Sequence, residues 1–116
     1  ELNQLLGTAA VGLHTMWNEH FGIGVVEMLA AGLAVVAHRS GGPLRDIIDD
    51  GRTGLLAVTD QEYASALASL LLHPGAEEHR AAIAAAGRQS VATRFSEEAF
   101  GEAVCAALQP AVRSLP

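Results

Sequence analysis

Residues 14–27 read HTMWNEHFGIGVVE, and the prediction of the fold starts from this stretch. It holds two carboxylates, Glu19 and Glu27, with a Gly-x-Gly turn between them. An apolar run of strand character leads into it, and an apolar segment of helical length follows it. A strand, a glycine turn and a helix in this order are the usual parts of a nucleotide-binding crevice.

Short apolar runs recur on both sides of this stretch. Residues 9–16, 33–37 and 54–58 have strand length, and the middle run is apolar throughout, as in strands covered on both faces. Helical patterns over 22–32 and 44–48 lie between them. Alternation with short connections predicts a parallel sheet with helices on its faces. The predicted fold is therefore α/β, with three parallel strands and flanking helices.

Three helices are predicted after the third strand, over 60–72, over 77–94 and from Ser96 onward. Asp60 is the expected N-cap of the first of them, because its side chain can accept from free backbone amides. Three strands are fewer than a complete doubly wound domain contains. We therefore expect the chain to be the second half of such a domain, taken from a longer protein.

Composition excludes several classes of function. The formal net charge is −6 and only seven residues are Lys or Arg, which disfavours nucleic acid as a partner. The single cysteine, Cys105, excludes an intrachain disulfide and is expected to be a small packing residue. The longest apolar stretch is shorter than the roughly 20 residues that cross a bilayer, so no membrane segment is predicted in this chain.

Glu27 is the most informative of the acids. Its neighbours are apolar nearly all round, which predicts a buried helix, and a buried carboxylate needs hydrogen-bond donors. Side chains tilt towards a helix's N-terminus, so this carboxylate is expected to point back to the crevice, where it could bind two ribose hydroxyls. Capping of local amides or pairing with an arginine remains the alternative.

The other features of the stretch are weaker evidence when each is taken alone. Glu19 lies in a loop, where acids are usually solvated, and Gly22 and Gly24 are also compatible with a tight turn that binds nothing. His14 and His20 with Glu19 could suggest a metal site, but they lack the i, i+4 spacing of ligands on one helix. Trp17 is interpreted as a packing or interface residue.

Taken together, these residues resemble a known family. The Glu19-x7-Glu27 spacing around Phe21-Gly22 resembles the E-x7-E signature of retaining glycosyltransferases with the GT-B fold, family four. Within this family, the resemblance is strongest to mannosyltransferases that act on dolichol-linked oligosaccharides. It rests on the sequence of 14–27, on Ala-Ala-Gly at 30–32 and on Ser-Gly-Gly-Pro at 40–43. The similarity is dense over 14–48 and continues, more loosely, through Arg94-Phe95-Ser96.

The resemblance implies a role for each acid. Glu27 would bind the ribose hydroxyls of the nucleotide, and Glu19 would be the catalytic residue beside the transferred mannose. The turn at 40–43 would form part of the crevice wall. The remaining substrate-binding candidates lie between the two acids and would contact sugar and phosphate: His20, Phe21, Gly22 and Ile23. No metal ion or other cofactor is implied.

The resemblance also implies partners and a location. The donor would be GDP-mannose, and the acceptor a dolichol-diphosphate-linked oligosaccharide that receives mannose in α-1,2 linkage, on the cytosolic face of the endoplasmic reticulum membrane. Residues 1–95 would be the second half of the donor-nucleotide domain, and 96–116 a C-terminal helix. Because the acceptor domain, the membrane anchor and a basic pair facing the diphosphate would lie elsewhere, this chain is expected to be inactive alone.

Two alternatives remain at this point. The chain could belong to a family-four glycosyltransferase that uses another sugar nucleotide, as sucrose and glycogen synthases do. It could also be a non-catalytic module that binds a sugar nucleotide or a partner protein.

Overall fold

The computed structural model describes residues 2–96, Glu102 and 104–108. Three strands form one parallel sheet in the order β1-β2-β3, so β2 is the central strand. A short π-helical segment, Pro43–Ile47, connects β2 to β3. The elements in chain order are α1 (Leu2–Thr8), β1 (Val11–His14), α2 (Ile23–Ala30), β2 (Ala34–His38), β3 (Leu55–Ala57), α3 (Asp60–Leu71) and α4 (Ala76–Arg94).

Strand β2 is buried on both faces, as its uninterrupted apolar sequence predicts. Val35 and Ala37 pack on the side of α2, the π-helical segment and the last turns of α4. Ala34 and Val36 pack on the opposite side, against α3 and an earlier turn of α4. The α/β prediction of three parallel strands with helices on both faces is therefore confirmed.

Strand β1 is shorter and more exposed than predicted. It covers Val11–His14 rather than 9–16, and only Gly12 in it is buried, while Leu13 remains 50 % exposed. The reason is its position, because within the described chain it pairs on one side only, with β2. Its inner face nevertheless lies close to α2, since a Cβ on Gly12 would come within 2.4 Å of the Met28 sulfur.

Helix ends follow the local sequence with some shifts. Helix α2 ends in a Schellman motif at Gly32, as its glycine predicts, with Leu33 N–H donating to the Met28 carbonyl at 3.1 Å. The N-cap of α3 is Thr59 rather than Asp60, because Thr59 and Glu62 form a reciprocal capping box. Helix α1 continues through Gly7, where a stop was predicted.

The segment after β2 was predicted as an ordinary helix over 44–48. It begins one residue earlier, with Pro43 in its first turn, and Ile48 N–H donates to the Pro43 carbonyl at 2.9 Å, the i to i+5 pattern of a π-helix. The helix predicted from Ser96 onward lies mostly outside the described residues. Within that region Glu102 and 104–108 are helical, and Cys105 is exposed rather than packed.

Candidate functional site

The loop from β1 to α2 is tied to the turn that follows β2. Gly42 N–H donates to the Glu19 carbonyl at 2.7 Å, and Asn18 N–H donates to Ser40 Oγ at 2.7 Å. Ser40 Oγ also lies 2.8 Å from His38 Nδ1, at the end of β2. These bonds fix the backbone on both sides of Glu19 although the loop has no regular secondary structure.

The two glycines of the turn are required by close packing. A Cβ on Gly41 would lie 2.2 Å from the Glu19 carbonyl oxygen, and a Cβ on Gly42 would lie 2.0 Å from the Phe21 carbonyl oxygen. Distances this short exclude any side chain without movement of the backbone. The turn at 40–43 and the loop that carries Glu19 therefore form one packed unit at the carboxyl end of the sheet.

Glu19 is half-buried at the edge of a cavity of about 190 Å³. Arg45 and Asp46, from the π-helical segment, line the same cavity. Nothing in the sequence pattern singled out Arg45, because the proximity depends on how the π-helical segment packs against the loop. The cavity thus combines a candidate catalytic carboxylate with a guanidinium that can attract phosphate. Its lining is completed by Asn18, His20 and Gly41.

Helix α2 begins with free backbone amides. Gly22, in the left-handed conformation at φ 99°, is the N-cap and accepts from Val25 N–H at 3.0 Å. The amides of Ile23 and Gly24 have no acceptor among the residues that the structure describes. Free N–H groups at a helix N-terminus favour anions such as phosphate. The predicted start of the helix is confirmed, and its amides are available to a ligand.

Gly22 and Gly24 have different surroundings. Gly22 is buried, and a Cβ there would lie 3.2 Å from Ile47 and 3.3 Å from Pro43, in a backbone conformation that L side chains rarely adopt. A Cβ on Gly24 would meet nothing within 4 Å. The Gly-x-Gly pattern therefore contains one glycine that the fold needs and one that it does not.

The predicted burial of Glu27 is wrong. Helix α2 has one buried face, formed by Val25, Val26 and Leu29, and Glu27 lies on the exposed face one turn after Ile23. Within the described part of the chain its carboxylate has no hydrogen-bond or ionic partner. The helix is short and is covered from one side only, so an apolar sequence does not bury all of it. Its carboxylate is free to accept from a ligand.

The aromatic residues of the loop differ in their environments. Phe21 is 40 % exposed, and its ring packs edge to face on Phe95, with ring centroids 5.5 Å apart. Trp17 is 72 % exposed, so it does not pack within the described chain, contrary to the first of its two interpretations. His20 is exposed beside Glu19, and no three His, Cys, Asp or Glu side chains of the described residues form a group that could hold a metal ion.

Two contacts from α3 fix the strand ends around the loop. The Tyr63 hydroxyl donates to the His14 carbonyl at 3.0 Å, and burial raises the pKa of Tyr63 above 10.0. Glu62 accepts from Thr59 N–H and from the Arg39 guanidinium, and these bonds, the backbone one first, lower the pKa of Glu62 below 4.5. Tyr63 thereby fixes the end of β1, and Glu62 fixes the residue that follows β2.

No helix in the described part of the chain is long and apolar enough to cross a membrane.

Comparison with known proteins identifies the family of this fold. Residues 1–90 match the family described as "Glycosyl transferases group 1". The chain is 48 % identical over 103 residues to the human "GDP-Man:Man(3)GlcNAc(2)-PP-Dol alpha-1,2-mannosyltransferase", covering 86 % of this chain and 20 % of that protein. It is 45 % identical over 112 residues to the Dictyostelium discoideum protein of the same name, covering 97 % of this chain and 21 % of that protein.

Solved structures show the same architecture. Anabaena Alr3699/HepE in complex with UDP superposes with a TM-score of 0.81 at 24 % identity, over 92 % of this chain and 29 % of that protein. Sucrose-phosphate synthase from Thermosynechococcus elongatus superposes with a TM-score of 0.80 at 23 % identity, over 98 % of this chain and 28 % of that protein. The chain therefore spans about a fifth of the curated relatives and under a third of these structures, and it belongs to the group 1 glycosyl transferases, with the fold of their GT-B members.

Proposed function

We propose that this chain is the donor-binding part of a retaining α-1,2-mannosyltransferase that uses GDP-mannose. The acceptor is a dolichol-diphosphate-linked oligosaccharide. The names of relatives that are 45–48 % identical support this donor and acceptor. The observation that carries the proposal is local: Glu27, Ile23 N–H and Gly24 N–H, all in one turn of α2, have no partner in the described chain.

Each of these groups suits one part of the donor. A carboxylate can accept from two adjacent hydroxyls, so Glu27 binds the ribose. The amides of Ile23 and Gly24, at the positive end of α2, bind the diphosphate and stabilise the negative charge that develops on GDP as it leaves. Among the other proposed contacts, His20, Phe21 and Gly22 border the transferred sugar.

Glu19 is the proposed catalytic residue beside the transferred mannose. The hydrogen bond from Gly42 N–H fixes its backbone, and the residue lines the cavity shared with Arg45. A carboxylate on a loop whose backbone is fixed in this way can stabilise positive charge that develops on the sugar. We propose that the reaction needs no metal ion, because the amides and nearby cations carry the charge stabilisation.

The rest of the enzyme is proposed to come from other segments. The curated relatives are about five times as long as their match to this chain, so the acceptor site and further diphosphate contacts have room outside it. We propose that the whole enzyme works at the cytosolic side of the endoplasmic reticulum membrane, as a dolichol-linked acceptor requires. The chain alone is then expected to bind the donor weakly and to transfer nothing.

Donor binding can be tested on the chain itself. Titration of the ¹⁵N-labelled chain with GDP-mannose should move the amide signals of Ile23 and Gly24, and UDP-glucose should bind more weakly. Glu27→Ala should weaken GDP-mannose binding by about tenfold, because it removes a charged acceptor. Glu78→Ala, which removes an exposed acid from α4, is the matched control. Equal binding by the two variants would leave Glu27 without a role in donor binding.

Catalysis can be tested by segment exchange. The chain would replace the matching segment of the human relative, and transfer of mannose from GDP-mannose to the dolichol-linked acceptor would be measured. We expect the chimaera to be active, and Glu19→Ala within it to lower kcat far more than it raises KM. A folded chimaera that binds GDP-mannose but transfers no mannose would contradict the proposed activity.

A further inference from the structure

The end of helix α4 lies against the start of the candidate donor site, although the two are far apart in sequence. Arg94 is the last residue of α4 and Phe95 is its C-cap. Arg94 contacts the π-helical segment, which packs against Gly22, the N-cap of α2. Phe95 contacts Phe21, the residue before Gly22. None of the roles proposed so far uses either side chain.

Arg94 holds the π-helical segment. Its guanidinium donates to the Asp46 carbonyl and, at 3.3 Å, to the Ile47 carbonyl. These carbonyls belong to the last turn of a short helix, where they have no partner within the helix. The planar guanidinium can bond both at once, which an ammonium group does less well.

The π-helical segment in turn fixes the position of Gly22. The side chains of Pro43 and Ile47 border Gly22 so closely that a Cβ there would lie 3.2–3.3 Å from them. Displacement of this segment would therefore alter the space in which the N-cap of α2 sits. By holding the π-helical segment, Arg94 therefore helps to fix the Pro43 and Ile47 side chains that pack against the first turn of α2.

Phe95 contacts the residue that precedes the same turn, Phe21, through its ring. Its ring is T-shaped to the Phe21 ring, at an interplanar angle of 75°, and the Arg94 guanidinium lies 4.8 Å from the Phe95 ring centroid. Phe95 also packs against the buried core on the α2 side of the sheet. It therefore links Phe21, which is 40 % exposed, to the hydrophobic core.

We propose that Arg94 and Phe95 are positioning residues for the donor: together they hold Phe21 and Gly22 so that the Ile23 and Gly24 amides face the sugar diphosphate. The identity of the ligand rests on the function proposed above, whereas the positioning of the loop does not. Neither residue touches the donor. Phe95 acts through the ring of Phe21, and Arg94 acts through the π-helical segment.

The test compares Arg94→Gln and Phe95→Leu with the conservative variants Arg94→Lys and Phe95→Tyr. Arg88→Gln removes a charge from an exposed position of α4 that has no polar partner among the described residues, and is the control. Two quantities are measured under conditions in which every variant is folded. They are the ¹⁵N amide signals of 21–24 and the ratio of the affinities for GDP-mannose and GDP. GDP has the diphosphate but lacks the mannose that Phe21 and Gly22 border, so the ratio reports the positions of these two residues. General destabilisation lowers both affinities alike and leaves their ratio unchanged.

We expect Phe95→Leu and Arg94→Gln to shift the signals of 21–24 and to lower the GDP-mannose to GDP affinity ratio by about fivefold, the size of one aromatic contact. Phe95→Tyr should restore the ratio, and Arg94→Lys should restore it in part. Unchanged signals and an unchanged ratio in both disruptive variants would overturn the proposal. If the unaltered chain binds neither ligand, the proposed function fails, and the signals of 21–24 alone decide whether the loop is positioned from α4.

Discussion

Two adjacent parts of the candidate site are constrained in opposite ways. The loop 18–22 is packed against the turn 40–43 so tightly that Gly41 and Gly42 have no room for a methyl group. The exposed face of α2 is open to solvent: Ile23 is 61 % exposed, and Glu27 has no partner among the residues that the structure describes. Packing thus explains the residues of the turn and leaves those of the exposed helix face unexplained.

This difference separates structural from functional requirements. Glycine destabilises a helix relative to alanine, and Gly24 lies in α2 with no neighbour that a methyl group would meet. An unpaired carboxylate on an apolar helix likewise adds little to stability. Both residues are better explained by a molecule that approaches from outside, and the predictions below test this contrast.

The largest effect is expected at the packed turn. Gly42→Ala places a methyl group 2.0 Å from the Phe21 carbonyl oxygen, so the turn and the loop must separate. We expect the free energy of unfolding to fall by roughly 3 kcal/mol, as for severe overpacking. Urea unfolding followed by circular dichroism measures it. A stability equal to that of the unaltered chain would show that the loop is not held as described.

Gly24→Ala should act in the opposite sense on stability. The methyl group meets nothing within 4 Å, so we expect the free energy of unfolding to stay the same or rise by up to about 1 kcal/mol. GDP-mannose affinity should nevertheless fall by roughly tenfold, because the methyl group keeps the diphosphate away from the amides. Calorimetric unfolding and an NMR titration give the two values. Loss of stability, or unchanged affinity, would remove the functional explanation of this glycine.

The contrast also shows what the sequence could reveal. The order of strands and helices follows from apolar runs and punctuating glycines, and the central strand and the end of α2 at Gly32 were predicted in that way. The exposed side of Glu27 was missed because a helix of eight residues covered on one side has too few polar positions to show amphipathic spacing. Helix geometry suggested ribose hydroxyls as one of two alternatives for Glu27, and the resemblance to a family favoured that one.

Contacts between residues far apart in the sequence could not be predicted from local sequence patterns. Arg45 lines the cavity of Glu19, and Arg94 caps the π-helical segment, through backbone geometry that depends on i to i+5 hydrogen bonding in 43–48. Single residues such as these have no characteristic spacing. The cap at Thr59 was missed for another reason, because Asp60 next to it is an equally good capping residue by type.

Removal of the Tyr63 hydroxyl tests whether the packed loop 18–22 and turn 40–43 depend on the position of β1. Tyr63→Phe removes its bond to the His14 carbonyl, and we expect a loss of about 1 kcal/mol in the free energy of unfolding. Because the folded pKa of Tyr63 is raised, the stability it contributes is complete below pH 10.0 and is lost as the pH rises through the folded value. It is the only tyrosine, so ultraviolet titration reports it directly. An ionisation at the ordinary value would contradict its burial.

The smallest effect concerns Glu62 and acid pH. The Thr59 and Val58 amides and Arg39 lower the folded pKa of Glu62, so its contribution to stability is complete above pH 4.5 and is lost as the pH falls through the lowered value. Arg39 directly precedes Ser40, so protonation should loosen the packed turn before it alters the exposed face of α2. We expect the amide signals of Ser40 and Gly42 to shift as Glu62 is protonated and that of Ile23, on the exposed face of α2, to be unaffected by it. Glu62→Gln should abolish the coupled shift at 40–42; its persistence would assign the shift to another acid.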